Sequence, residues 1–159
     1  MKNLNPNTEN SIEWLTPPEI VKACGEFDLD PCSPIDRPWD TAKKHYTIRD
    51  DGFNKEWHGR VWLNPPYGLE TFKWVKRLAD HGNGIALIFA RTETKGFHAQ
   101  VWRRAHSLLF LKGRLKFYRP DGSKGKLGAG APSVLISYSP FDTECLRQSG
   151  LGGCLVTVD

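Results

Sequence analysis

The chain has 159 residues, a formal net charge of +4, and apolar and charged shares of 39% and 25%, the figures of a globular chain of one-domain size. No run of about 18 apolar residues occurs, which excludes a membrane-spanning helix. The polar stretch from Met1 to Asn10 lacks the apolar region of a secretory signal, so a cytoplasmic protein is expected.

The small net charge conceals an asymmetry. Up to Glu70 there are 8 Lys and Arg against 12 Asp and Glu, and from Thr71 onward 14 against 6. A basic half beside an acidic half suits a polyanion-binding face, and a solvated charged surface gives the same count. Cys24, Cys32, Cys145 and Cys154 are irregularly spaced and read as reduced thiols. With no short Cys-x-x-Cys or His-x-x-x-His pair, a zinc site from Cys24, Cys32, His45 and His58 lacks a pattern, and no metal is expected.

Residues 1–12 read as a flexible polar arm and 13–159 as one domain. Thr16-Pro17-Pro18-Glu19 predicts a helix start, with Thr16 as cap and Gly25 as stop. Phe27 to Pro31 reads as a short strand ending in a carboxylate-bearing turn. Asp28 and Asp30 alternate about Leu29, so at most one of them faces a pocket there. From Cys32 to Trp57 the chain is irregular. Arg60–Leu63 predicts a strand, Leu69–His81 a helix with Phe72, Val75 and Leu78 on one face, and Gly84–Ala90 a strand buried in a parallel sheet. A helix over Phe97–Ala105 and strands at Ser107–Leu111, Leu115–Tyr118 and Ser133–Tyr138 follow, the last as the returning arm of a hairpin. This alternation predicts an α/β three-layer domain with its reactive loop at the carboxyl ends of the strands. The Gly- and Lys-rich stretch from Pro120 to Pro132 is not a P-loop, because Leu127 follows Lys126 where Ser or Thr is needed. It reads either as a mobile loop reaching a nucleic-acid groove or as a plain flexible connection.

Asn64-Pro65-Pro66-Tyr67, directly after Val61-Trp62-Leu63 and before Gly68, is the most informative stretch. The Asn64 side-chain oxygen and the Pro65 carbonyl can accept both hydrogens of an exocyclic amine. That arrangement favours the pyramidal nitrogen of a methyl-transfer transition state by electrostatic preorganisation. The two prolines fix the carbonyl directions beforehand, and Tyr67 can stack on a planar base. A simple strand-ending turn is the plainer reading of the same four residues. The tryptophans at 14, 57, 62, 74 and 102 read as core aromatics.

With Trp14-x-Thr16-Pro17, Phe27-Asp28-Leu29-Asp30-Pro31-Cys32, Trp57, Asn64-Pro65-Pro66-Tyr67-Gly68, Ala90-Arg91-Thr92-Glu93-Thr94 and Phe110 to Phe117 in this order, the chain resembles the phage and prophage DNA N-6-adenine methyltransferases over about residues 13–139. The resemblance implies an abbreviated Rossmann-like methyltransferase, three-layered, with a mostly parallel sheet and a C-terminal hairpin. It implies transfer of a methyl group from S-adenosylmethionine to N-6 of adenine in double-stranded DNA, the base being flipped into the Asn64–Tyr67 pocket, in a phage- or prophage-encoded enzyme with no obligate protein partner evident. Trp14, Thr16, Pro17, Asp28, Asp30, Pro31, Cys32 and, less directly, Asp51 would then lie against the cofactor. Pro31-Cys32-Ser33-Pro34 has no glycine where most methyltransferases carry Gly-x-Gly, so the cofactor pocket is abbreviated or the strand at Phe27 corresponds to another strand of the fold. Methylation of cytosine, RNA or a protein amide, and a DNA-binding relative without catalysis, are the alternatives.

Overall fold

A computed structural model of the chain describes residues 14–126 and 128–158; the expected arm over residues 1–12 lies outside them. A seven-stranded sheet forms the middle layer. Its strands are β1 (Leu29–Asp30), β2 (Lys44–His45), β3 (Val61–Leu63), β4 (Gly84–Phe89), β5 (Ser107–Leu111), β6 (Ser133–Ser137) and β7 (Gly153–Thr157), in spatial order β2-β1-β3-β4-β6-β5-β7.

Both faces of the sheet are covered, and its inner strands are largely apolar on both sides. In β4 the side chains of Ala86 and Ile88 join one buried cluster, while Ile85 and Leu87 join another on the opposite face. Helix α2 (Thr71–His81) packs Val75 and Leu78 into the first cluster, together with Phe97 and Val101. Helix α1 (Pro18–Ala23) and helix α4 (Pro140–Arg147) place Ile20, Val21 and Leu146 in the second. The three-layer expectation therefore holds, and among the described residues no helix is long and apolar enough to cross a membrane.

The sheet departs from the expected mostly parallel one. β2, β1, β3 and β4 run parallel, but β6 lies antiparallel between β4 and β5, and β7 adds antiparallel to β5. Counted by paired residues, the sheet is mostly antiparallel. An apolar run buried on both faces has the same composition whichever way its neighbours point, so the sequence pattern does not encode direction.

Other expectations are corrected locally. Leu115–Tyr118 is not a strand; Tyr118 makes only isolated bridges to Leu15 and Lys124. The last helix before β5 begins as one turn, α3 (Lys95–Phe97), and continues as a π-helical turn from His98 to Trp102. Pro17, not Thr16, occupies the cap position of α1, and no side chain caps that helix. The stretch beyond Pro140, which carries no recognisable motif, forms α4 and the edge strand β7.

One buried ion pair ties α4 to the amino ends of the sheet. Arg60 Nε donates to Asp142 Oδ1 at 2.6 Å, and the other Asp142 oxygen accepts from the Gly84 amide at 2.7 Å and from the Ser139 hydroxyl. Gly84 has a φ of +144°, and a Cβ there would stand 2.2 Å from the Val61 carbonyl oxygen. Only glycine lets β4 enter the sheet this close to β3.

Candidate active site

The chain leaves β1 toward β2 on one side and crosses to β3 on the other. Connections that diverge in this way open a crevice at the carboxyl ends of the two central strands. β1 delivers Asp30, Pro31 and Cys32 to that crevice, and β3 delivers Asn64 to Tyr67.

Two cavities occupy it. One of about 20 Å³ is lined by Trp14, Thr16, Asp30, Arg37, Trp39 and Asn64, among others. A larger one of about 230 Å³ is lined by Pro31, Asp51, Phe53, Pro66, Lys73 and Trp74, among others. Cys32 and Ser33 line both.

Asn64 is 6% exposed. Its Nδ2 donates to Thr16 Oγ1 at 2.7 Å, while its Oδ1 is buried with no hydrogen-bond partner among the described residues. A buried amide oxygen without a partner is costly and is a mark of a site awaiting a donor. Pro65 is buried, and the Pro66 carbonyl accepts from Thr71 Oγ1 at 2.6 Å, which braces the turn into α2. The Tyr67 ring stacks on Phe89, centroids 4.2 Å apart at 23°, and its hydroxyl is buried without a partner among the described residues; burial pushes the phenol well above its ordinary range. Phe89 covers one face of Tyr67, and Tyr67 itself lines neither cavity. Past Gly68, Leu69 is fully exposed at 106%.

Thr16 reaches Asn64 because the segment before α1 is stitched to a later loop. Leu15 N donates to the Tyr118 carbonyl at 2.7 Å and Tyr118 N to the Leu15 carbonyl at 2.9 Å. The same loop, residues 112–132, exposes Lys112, Arg114, Lys116, Arg119, Lys124 and Lys126 against one acid, Asp121. Trp39 meets Tyr118 edge to face at 5.2 Å, and the Arg119 guanidinium lies 6.0 Å from the Trp14 ring. Arg119 of this basic loop thus lies beside Trp14 of the small cavity. Arg104, also in the basic half of the sequence, is instead engaged with Asp80 at 2.7 Å.

Asp30 is 3% exposed and accepts from Thr41 Oγ1 and, at 3.1 Å, from Cys32 N. Burial pushes its carboxyl up to about 6, against the lowering effect of those two bonds. Asp28 points elsewhere: its carboxylate accepts from Arg60 N at 2.8 Å and faces Lys43 at 3.8 Å, and it lines neither cavity. Pro17 lines neither cavity either. Of the two alternating aspartates, Asp30 is the one at the crevice.

The glycine missing from the turn after β1 has a counterpart across the larger cavity. A Cβ on Gly52 would lie 2.1 Å from the Pro31 carbonyl oxygen, so this residue lets the loop bearing Asp51 and Phe53 close onto the end of β1. Asp51 itself adopts a left-handed conformation, φ 54° and ψ 61°. Sequence reasoning missed Arg37, Trp39 and Thr41 in the small cavity and Lys73 and Trp74 in the larger one. Trp39 stood out as an aromatic in an irregular stretch; the others carry no local signal. Among the described residues no group of three His, Cys, Asp or Glu side chains could hold a metal ion.

A crevice at a switch point, lined by aromatic rings and with basic side chains beside it, has the chemistry to receive a planar, negatively charged ligand. The family model of the DNA N-6-adenine-methyltransferases (Dam) matches residues 5–150, and the chain belongs to that family. It is a DNA adenine methyltransferase. No curated protein and no solved structure matches the chain.

Proposed function

We propose that this enzyme takes its methyl group from S-adenosylmethionine and that the adenine is flipped out of duplex DNA, its N-6 amine held by Asn64 and the Pro65 carbonyl. The observation that carries the reading is the buried, unpartnered Oδ1 of Asn64 at the carboxyl edge of β3.

The residues present fit the methyl donor. The larger cavity offers aromatic and apolar surface from Phe53, Trp74 and Pro31 for a purine, with Asp51 and Asn54 as polar partners for a ribose. Asp30, a buried carboxylate at the small cavity next to it, suits a ligand that brings positive charge. When bound, S-adenosylmethionine supplies an electrophilic methyl group on a sulfonium, which needs no Lewis acid.

The protein's own contribution is orientation. An exocyclic amine is a weak nucleophile because its lone pair is delocalised into the ring. Asn64 Oδ1 accepts one amine hydrogen and the Pro65 carbonyl the other, which favours the tetrahedral nitrogen as it forms. Thr16 holds the Asn64 amide in the sense that leaves Oδ1 free. Tyr67, backed by Phe89, offers its remaining face to the base. Unpairing and unstacking the base costs a few kcal/mol, which the exposed cations of the 112–132 loop offset by holding the flanking phosphates. The amine proton is released to solvent after transfer.

Incubation with duplex DNA and tritiated S-adenosylmethionine, followed by digestion to nucleosides, tests the reading. Label in N-6-methyl-2′-deoxyadenosine is expected; label in a methylated 2′-deoxycytidine, or none, would contradict it.

A further inference from the structure

A second residue lining the small cavity carries a buried polar atom without a partner among the described residues. Trp14 Nε1 is buried and unpartnered among the described residues, and Trp14 lines the same cavity as Asn64. The two atoms are opposite in sense, since an indole nitrogen only donates and an amide oxygen only accepts. Each is costly to leave unpaired, and both are satisfied together by a ligand edge that presents a donor next to an acceptor.

The edge of adenine normally used in pairing has this form: the N-6 amine donates and the neighbouring N1 accepts. Cytosine has the same order in its amine and N3. Guanine and thymine carry the reverse, a carbonyl beside an N–H, and would meet each protein atom with its own kind. Resting on the functional reading above, we propose that Trp14 is a specificity-determining residue. Its Nε1–H donates to N1 of the flipped adenine while Asn64 Oδ1 accepts from the amine, so that the pair admits amino bases and rejects keto bases.

The sense of the pair is fixed on the Trp14 side, since an indole cannot exchange donor for acceptor, and on the other side Thr16 accepts from Asn64 Nδ2, an arrangement that leaves Oδ1 free. Trp14 is held where the chain ladders with Tyr118, and a Cβ on Gly125 would lie 3.1 Å from its ring. A cavity of about 20 Å³ has room for one water. A water bridging the two atoms is therefore the competing occupant, displaced when the base edge enters.

The test measures methylation of a duplex carrying a site found to be modified, with adenine or 1-deazaadenine as the target. Each target is placed opposite an abasic position, so that neither must be unpaired. Wild type should lose about tenfold in kcat/KM on the analogue, roughly the contribution of one hydrogen bond. Trp14→Phe, which keeps a ring and lacks the N–H, should lose about tenfold on adenine and no more on the analogue. Equal penalties for wild type and variant on the analogue, or no penalty for wild type, would overturn the proposal; the wild-type comparison requires no variant to fold. Absence of any methyladenine from wild type would defeat the functional reading and this proposal with it, whereas methylation without dependence on N1 defeats this proposal alone.

Discussion

Thr16 Oγ1 accepts a 2.7 Å hydrogen bond from Asn64 Nδ2 across 48 positions of sequence, and with the amide in that sense Asn64 Oδ1 is the end left for an incoming amine. Thr16→Val removes it while keeping the shape. The amide can then rotate, and a buried Nδ2 is left without a partner. Methyl transfer should fall by about tenfold, with thermal stability lowered by only a few degrees. Thr16→Ser, which restores the hydroxyl, should recover most of the rate. A valine variant as active as wild type would remove this bond from the mechanism.

Asp30 makes stability depend on pH in a defined window. Its carboxyl, raised by burial from 3.8 to about 6, favours the protonated form in the folded state. The folded chain therefore holds a proton that the unfolded chain has released. This contribution is fully present below about pH 4 and is lost as pH rises through 6, an effect of about 3 kcal/mol. Asp30→Asn cannot titrate. The difference in unfolding free energy between wild type and Asp30→Asn, measured by denaturant titration from pH 4 to 7, should move in favour of the variant by about that amount. A difference that stays flat across the window would contradict the assignment.

Asp142 is fully buried against Arg60 at the amino ends of β3 and β4, remote from the carboxyl-edge crevice. Asp142→Ala leaves a buried guanidinium and the Gly84 amide unpaired. It should cost about 3–5 kcal/mol in denaturant unfolding, while the folded fraction keeps its affinity for S-adenosylmethionine. A loss below 1 kcal/mol would show that the pair does not hold α4 to the sheet.

The exposed cations of residues 112–132 predict how DNA binding responds to salt. Replacing Arg119, Lys124 and Lys126 together by Ala should reduce the slope of log affinity against log salt by roughly 1 for each phosphate no longer neutralised. Binding of S-adenosylmethionine should not change. An unaltered slope would move the DNA to another face.

Much of the site was legible in the chain because it is local. Asn64-Pro65-Pro66-Tyr67 follows three apolar residues that form β3, so the four residues stand together at that strand's carboxyl end. The alternation in Asp28-Leu29-Asp30 likewise indicated that one aspartate alone would reach the crevice. What remained hidden depends on partners far apart in sequence. The Asn64–Thr16 bond, the Thr41 hydroxyl on Asp30 and the approach of Gly52 to Pro31 exist only once the crevice has closed.

The fold was legible by layer and not by direction. Val61–Leu63 and Gly84–Phe89 announced buried strands through continuous apolar character, and the returning arm expected at Ser133–Tyr138 does run antiparallel, against β5, yet nothing in it signals that it also inserts beside β4. Leu115–Tyr118 has the composition of a strand, but Tyr118 is used to hold Leu15, so the loop edges the site in place of extending the sheet. Thr16 has the residue type and spacing of a helix cap, and its hydroxyl is bound to Asn64 in place of the helix amides.

The mechanism depends above all on Asn64 orienting the amine that receives the methyl group. The decisive measurement is single-turnover methyl transfer to DNA by Asn64→Ala, run alongside calorimetry with S-adenosylmethionine. A loss of roughly 10²–10³-fold in the transfer rate is expected, with the cofactor affinity essentially kept. Transfer within about tenfold of wild type would contradict that role.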